Sequence, residues 1–242
     1  MKKKIIALIP ARSGSKRVKN KNIKSFFGHP LIAYSINLAK SSKLFDRVIV
    51  STDSNKYAKI AKNYGAEVPF LRPKKLSSSK SVDYDWIRFT LDSLEISKLN
   101  CDYYCLIRPT SPFRSINMLE KAVKLITAKR NADSLRAVEL CSQHPYKMWK
   151  INKGFMNSFV NYKLNHQPGH SVQYASLPDI YVQNASLEIT KIETIYKHNN
   201  ITGKKIIPFI TNDFEGYDIN SNFDWLFANM LVEKKIVKLR KI

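Results

Sequence analysis

The feature that most constrains the fold is a short apolar run that ends at a proline. Residues 5–9 read Ile-Ile-Ala-Leu-Ile without polar alternation, and Pro10 follows them. Such a run predicts a strand that is buried on both faces, which is typical of a parallel sheet covered by helices. Similar short apolar runs occur at residues 48–51, 103–107 and 206–210, and we expect strands there too.

Segments with helical periodicity separate these runs. We expect a helix opened by Pro30 and further helices over residues 55–64, 83–94 and 117–129, with a last helix through about Lys238. Ser54 is placed to cap the second helix and Gly65 to end it in left-handed backbone. We also expect short strands over residues 66–71 and 132–138. This alternation predicts an α/β fold with a doubly wound, mostly parallel sheet.

The segment after the first strand combines small residues with cations. It reads Ala11-Arg12-Ser13-Gly14-Ser15-Lys16-Arg17, and Lys19 and Lys21 follow. Open α/β sheets bind ligands at the carboxyl ends of their strands. Gly14 allows the backbone to pass close to a ligand, and backbone N–H groups with flanking cations suit a polyphosphate. A solvated basic turn without a ligand is the alternative interpretation.

The charge balance raises a different class of function. The 242 residues include 41 Lys and Arg against 19 Asp and Glu, a formal net charge of +22, which suggests nucleic acid or another anionic partner. The lysines are dispersed along the chain without a long run, so solvated surface charge is the competing interpretation. The sequence contains no dinucleotide-binding Gly-X-Gly-X-X-Gly, no Walker A motif, no Gly-X-Ser-X-Gly and no His-Glu-X-X-His. Redox, P-loop, serine-hydrolase and zinc-protease chemistry therefore have no support.

Three segments, taken in order, resemble those of the CMP-sialic acid synthetases, also called acylneuraminate cytidylyltransferases. They are the turn at residues 11–16 with Lys21-Asn22-Ile23, the segment Arg108-Pro-Thr-Ser-Pro-Phe-Arg114, and the strand at residues 177–189. A weaker fourth is Asp218-Ile219-Asn220, where that family has an Asp-Ile-Asp that holds magnesium. The chain departs from the family at Arg108, commonly Gln, at Ala185, commonly Gly, and at Asn220.

The resemblance implies a set of roles for these residues. Arg12, Lys16 and Asp218 would be catalytic. The implied nucleotide contacts are Ala11, Arg12, Ser13, Gly14, Ser15, Lys16, Lys21, Asn22, Arg72, Ser81, Arg108 and Thr110. The implied sugar-acid contacts are Ser111, Arg114, Lys147, Gln183 and Asn184, and the implied Mg²⁺ ligands are Asp218 and Asn220, since a hard cation prefers oxygen ligands.

Each of these assignments has a structural alternative. The Ser-rich loop before residue 83 is also typical of a helix cap. The Arg108–Arg114 segment is also typical of a rigid turn without a ligand, and Asp218 is typical of a residue that hydrogen-bonds at the start of a helix. Residues 139–178 resemble the projecting arm through which the family dimerises, although an irregular surface excursion fits them as well. We expect one cytidylyltransferase domain over residues 1–242 that contains this arm.

The implied reaction is the condensation of CTP with a nine-carbon sugar acid, which gives a CMP-sugar and pyrophosphate. Alternatives are a related enzyme for Kdo, or for a sugar 1-phosphate with another nucleotide, and a basic nucleic-acid-binding protein. The apolar run at residues 5–9 is too short for the core of a signal peptide, and no stretch is long enough to span a membrane. We therefore expect a cytoplasmic protein without a membrane partner. The resemblance implies a homodimer, and we expect no nucleic-acid partner.

Overall fold

β1 (Ile5–Pro10) lies inside a six-stranded sheet. The computed structural model describes residues 3–96 and 100–242. In spatial order the strands are β12 (Ile206–Ile210), β6 (Ser134–Leu140), β11 (Tyr181–Lys191), β5 (Tyr103–Leu106), β1 and β4 (Arg47–Ser51). β1 pairs in parallel with β4 and with β5, whereas β11 runs antiparallel to β5. The predicted α/β fold is confirmed.

Helices cover this sheet on both faces. They are α1 (Leu31–Ser42), α2 (Asn55–Asn63), α3 (Asp83–Ser93), α4 (Ile116–Ala128) and α5 (Ile192–His198). A further helix, α6 (Asn222–Glu233), packs in a separate apolar cluster with the start of α1. The odd-numbered side chains of β1 pack in one apolar cluster with α1, α2 and α4. Ile6 and Leu8 pack in another cluster with α3 and α5. Because successive side chains of a strand point to opposite faces, these two clusters explain why the run at residues 5–9 shows no polar alternation.

A third apolar cluster connects the segments beside the carboxyl end of β1. It joins Val18 after β1, Phe113 before α4, Ile219, and Trp225 of α6. These residues are buried, so they fix three loops that are far apart in sequence. This cluster is the packing that brings the candidate site residues together.

The helix ends follow the capping residues. Ser54 accepts a hydrogen bond from the Tyr57 N–H, and Gly65 has a φ of +83°, as predicted. Ser221 and Asp224 form a capping box at the start of α6. That helix ends at Glu233, earlier than the predicted Lys238, because Lys235 adopts left-handed backbone.

The strand predicted at residues 66–71 is wrong. Only an isolated bridge between Ile49 and Glu67 occurs there. Pro69 lacks a backbone N–H and cannot donate to a ladder, which opposes a longer pairing. Helix α5 was not predicted from the sequence.

The chain divides into two compact units. One comprises Met1–Ala137 with Asn184–Ile242, and the other Val138–Gln183, close to the limits of the predicted arm. The second unit contains two hairpins, β7 (Trp149–Asn152) with β8 (Phe155–Ser158) and β9 (Lys163–Leu164) with β10 (Gln167–Pro168). A further small hairpin, β2 (Ser25–Phe26) with β3 (His29–Pro30), precedes α1.

Among the helices of the described residues, none is both long enough and apolar enough to cross a bilayer.

Candidate active site

The carboxyl ends of β1 and β4 are neighbours, so the loops that follow them meet. Pro10 pairs with Ser51, and the Ala11 N–H donates to the Ser51 carbonyl at 2.9 Å. Ser13 then donates twice to the Asp53 carboxylate, from its backbone N–H at 2.8 Å and from its Oγ at 2.9 Å. Asp53 therefore fixes the start of the basic loop. Sequence reasoning missed this residue, although its place directly after a strand that neighbours β1 was a usable signal.

The basic loop presents its cations at the surface. Lys16 and Arg17 are exposed, and Arg12 extends its Nη1 to the Ser78 carbonyl at 2.5 Å. The Cβ side of Gly14 faces open space, with no heavy atom within 4 Å of the position that a Cβ would occupy. Gly14 is not in left-handed backbone, so its value at this position is the access it leaves to its backbone rather than its conformation.

The turn at residues 218–220 lies against this loop. The Lys21 ammonium donates to the Ile219 carbonyl at 2.6 Å and to Asn220 Oδ1 at 3.4 Å, and Arg17 Nη2 reaches the same Oδ1 at 3.3 Å. Burial lowers the pKa of Lys21, and this outweighs the opposing influence of the Asp218 charge. The structure thus joins two segments that are about 200 residues apart in sequence.

Asp218 has the stronger of the two predicted metal-ligand positions. Its Oδ2 accepts from Asn220 Nδ2 at 2.5 Å, while its Oδ1 is buried and has no hydrogen-bond partner among residues 3–96 and 100–242. A buried carboxylate oxygen without a partner fits a ligand for a hard divalent cation. Asn220 Oδ1 instead faces the cations of Arg17 and Lys21, an environment that opposes metal binding. Within residues 3–96 and 100–242, no group of three or more His, Cys, Asp or Glu residues could hold a metal ion.

Arg72 is buried and held by the protein itself. Its Nε and Nη2 donate to the Oγ and carbonyl of Ser51 at 3.1 and 2.7 Å, and its guanidinium lies 4.4 Å from the centre of the Trp86 ring. Burial lowers its pKa to about 10. Ser81 closes a polar turn, in which its Oγ accepts from the Ser78 N–H at 3.0 Å. Both residues shape the loop before α3, and their predicted nucleotide contacts remain predictions.

Arg114 is the more deeply buried of the two arginines in the Arg108–Arg114 segment. It is 3% exposed, and its guanidinium donates at 2.6 Å to each of three acceptors, the Ser186 carbonyl, Ser35 Oγ and the Arg108 carbonyl. Burial lowers its pKa to about 9. These bonds connect the motif to α1 and β11, so Arg114 supports the site from inside the protein.

Thr110, in the same segment, contacts the turn at residues 218–220. The Thr110 carbonyl accepts from the Ile219 N–H at 2.9 Å, which ties the motif to that turn. Ser111 Oγ is buried and makes no hydrogen bond within the part of the chain that the structure describes. Asn22 is buried nearby and donates to the Arg12 carbonyl at 3.3 Å, which helps to shape the basic loop.

Arg108 forms two ion pairs that the sequence did not predict. Its Nη2 lies 2.5 Å from Asp83 Oδ2 and 3.0 Å from Glu188 Oε1. Glu188 is buried and also pairs with Arg136. A charged residue inside an apolar strand pattern, as Glu188 and Arg136 are, was the signal that could have revealed this network.

The remaining predicted sugar contacts divide between the two units. Asn184 belongs to the first unit and donates to Thr211 Oγ1 at 2.9 Å. Lys147 and Gln183 belong to the second unit. The Lys147 ammonium donates to the Val172 carbonyl at 2.7 Å, and Gln183 lines a mostly apolar cavity of about 480 Å³ together with Met148.

Comparisons with known proteins show which family the chain resembles. A model of the cytidylyltransferase family matches residues 6–211. The N-acylneuraminate cytidylyltransferase of Escherichia coli O18:K1:H7 is 30% identical over 237 residues, which cover 97% of this chain and 54% of that protein. The CMP-N,N'-diacetyllegionaminic acid synthase of Legionella pneumophila is 32% identical over 234 residues, which cover 95% and 97% of the two chains.

A solved structure of CMP:2-keto-3-deoxy-manno-octonic acid synthetase complexed with CTP matches the fold with a TM-score of 0.71. The match covers 96% of this chain and 99% of that chain at 14% sequence identity. At this identity, the likeness bears on the fold alone.

Proposed function

Since the chain belongs to the cytidylyltransferase family, we propose that it activates an acylneuraminate-type sugar acid with CTP. The products are a CMP-sugar and pyrophosphate. The observation that carries the proposal is the contact of the basic loop with the turn at residues 218–220 through Lys21. It supports a site that places several cations and one carboxylate beside each other, as a nucleoside triphosphate with a divalent cation requires.

The proposed reaction is an in-line displacement at the α-phosphorus. The anomeric hydroxyl oxygen of the sugar acid forms the new P–O bond, its proton leaves to solvent or a base, and the bond to pyrophosphate breaks. The protein contributes positioning and charge neutralisation. In this proposal, Arg12 and Lys16 hold the triphosphate and offset the charge of the departing pyrophosphate. The backbone of Ser13, Gly14 and Ser15 lies beside the bound triphosphate. Lys21 and Asn22 hold the basic loop in position. We assign no general base.

We propose Mg²⁺ as the cofactor, with Asp218 as its protein ligand. Asp218 Oδ1, which is buried and makes no hydrogen bond to any described residue, supports this assignment, and phosphate oxygens would complete the coordination. When bound, the ion would act as a Lewis acid that neutralises phosphate charge. The environment of Asn220 favours a different role for that residue, in which its amide orients the Asp218 carboxylate.

For the sugar acid, we propose contacts from Ser111 and Asn184 of the first unit. The contacts that the resemblance implies for Lys147 and Gln183 stay predictions. Arg114 receives the supporting role that its internal hydrogen bonds favour. We further propose a cytoplasmic homodimer that uses the unit Val138–Gln183 as its arm. The exposure of Ile151 and Phe155, each 76% exposed on the β7–β8 hairpin, supports an apolar contact with a second copy.

The decisive experiment is a pyrophosphate-release screen. It crosses the four nucleoside triphosphates with neuraminate, legionaminate, pseudaminate and Kdo, each with and without Mg²⁺. We expect release with CTP and a nine-carbon acid in the presence of Mg²⁺. Release with Kdo but with no nine-carbon acid would reassign the sugar substrate to Kdo. Release only with a nucleotide other than CTP would reassign the nucleotide. No release in any well, together with a salt-sensitive shift of random oligonucleotides, would support the nucleic-acid-binding alternative instead.

A further inference from the structure

The charge of Arg108 is neutralised by ion pairs within the protein. Its Nη2 bonds Asp83 Oδ2 at 2.5 Å and Glu188 Oε1 at 3.0 Å, so two carboxylates share one guanidinium. Burial would lower the pKa of Arg108, but the two carboxylates outweigh burial and raise it. A cation that is already neutralised by two carboxylates adds little attraction for a phosphate.

Glu188 connects Arg108 to the centre of the sheet. It lies on β11 opposite Leu106 of β5, and its side chain is 2% exposed. Its second oxygen accepts from Arg136 on β6, and Arg136 also donates to the Ile201 carbonyl. Because Arg136 remains as a partner for Glu188, loss of the Arg108 side chain does not leave a buried carboxylate without a cation.

Asp83 connects Arg108 to the loop before α3. Asp83 is the first residue of α3 and also accepts from Trp86 Nε1 at 2.8 Å. Arg72, at the other end of this loop, lies against the same Trp86 ring. The loop of residues 73–82 is therefore anchored at both ends.

Arg12 is braced against the middle of that loop. Its Nη1 donates to the Ser78 carbonyl at 2.5 Å. A continuous set of contacts thus runs from Glu188 through Arg108 and Asp83 to the loop, and from Ser78 to Arg12. Movement of Asp83 would move the carbonyl that orients Arg12.

We infer that Arg108 is a positioning residue, which holds the loop of residues 73–82 so that Arg12 is correctly oriented, and that it does not bind the nucleotide itself. The inference rests on the proposed function for the role of Arg12. The anchoring of the loop is testable without any substrate.

The first experiment measures the anchoring by limited proteolysis. The loop carries Lys74, Lys75 and Lys80, all exposed, and trypsin cleaves after lysine. We expect Arg108→Gln to accelerate cleavage at these sites at least fivefold, and Arg108→Lys to restore part of the protection because it keeps a charge near Asp83. Cleavage after the exposed Lys163, in the other unit, is the internal control and should not change. Arg88→Gln, which removes an exposed pair with Asp92, is the matched control variant.

The second experiment separates positioning from direct contact. We expect Arg108→Gln to raise the KM for CTP about tenfold in the wild-type background and not at all in Arg12→Ala, since Arg108 acts through Arg12. Asp83→Asn should reproduce both results and serves if Arg108→Gln does not fold. Unchanged proteolysis, or equal KM effects in both backgrounds, would overturn the inference. Absence of pyrophosphate release by the wild-type protein would refute the proposed function. The proteolysis result would then still test the anchoring of the loop.

Discussion

Replacing Asp53 with alanine removes both acceptors that hold Ser13, the partners of its N–H at 2.8 Å and of its Oγ at 2.9 Å. Hydrogen bonds to charged groups contribute about 1.5–3 kcal/mol each. Asp53 is only partly buried, so each bond contributes at or below the lower end of that range, about 1–1.5 kcal/mol, and the pair contributes about 2–3 kcal/mol. If this energy orients the basic loop for catalysis, kcat/KM for CTP should fall about 30- to 150-fold in Asp53→Ala.

The sign of the effect distinguishes orientation from simple electrostatics. Asp53 is negative, so its removal should by itself improve the binding of an anionic triphosphate. Unit charges about 10 Å apart in a medium of effective dielectric constant about 40 interact by about 1 kcal/mol. Electrostatics alone therefore predicts a gain of several-fold, whereas loss of orientation predicts a fall. Asp53→Asn separates the effect of the charge from the effect of orientation, because it removes the charge and keeps one carbonyl acceptor for Ser13.

The assay is steady-state pyrophosphate release with CTP varied at saturating sugar acid. We expect Asp53→Asn and Ser13→Ala each to lower kcat/KM about tenfold, with Asp53→Ala lower than either. Asp85→Asn removes an exposed carboxylate from α3 and should leave the kinetics unchanged. A higher kcat/KM in Asp53→Asn, with a thermal midpoint close to that of the wild type, would show that Asp53 does not orient the loop and would refute the reasoning.

Four further substitutions test other parts of the structure. Arg12→Ala and Asp218→Ala should each lower kcat by at least 100-fold with unchanged circular dichroism, and near-normal turnover in both would remove the assignment of the site. Gly14→Val places a branched side chain in open space, so we expect little change in the thermal midpoint and at least a tenfold rise in the KM for CTP; an unchanged KM would mean that no ligand approaches Gly14. Ser221→Ala breaks the capping box of α6, which should cost about 1 kcal/mol in free energy of unfolding and lower the thermal midpoint by about 2–4 °C in a scanning calorimeter.

The elements that the sequence predicted well are those with a local physical cause. The run at residues 5–9 required cover on both faces, and the two clusters around β1 provide it. Ser54 and Gly65 act within their own helix, so their roles follow from positions alone. The prediction of a strand over residues 66–71 failed because the apolar residues there fit a strand pattern. Pro69 and the loop geometry limited the pairing to one bridge.

Longer-range relations had no comparable signal. The parallel pairing of β1 with β4 and β5 follows from the alternation of strands and helices, but the antiparallel insertion of β11 does not. Likewise, the position of Asn220 in the sequence resembles that of a metal ligand, and only the structure places its Oδ1 against two cations. The resemblance directed attention to this turn, and only the structure shows which atoms surround it.

The arginines of the motifs demonstrate why composition alone cannot assign a phosphate site. Arg12, Arg72, Arg108 and Arg114 are the same residue type, and the resemblance implied a ligand contact for each of them. Arg72 and Arg114 bond to neutral acceptors of the protein, and burial lowers the pKa of each, whereas Arg108 is neutralised by two carboxylates. Arg12 is only partly buried, and Lys16 and Arg17 beside it are exposed. A triphosphate gains most from cations whose charge is accessible and uncompensated, so its attraction should depend on the loop of residues 12–17, while the buried arginines determine where that loop lies.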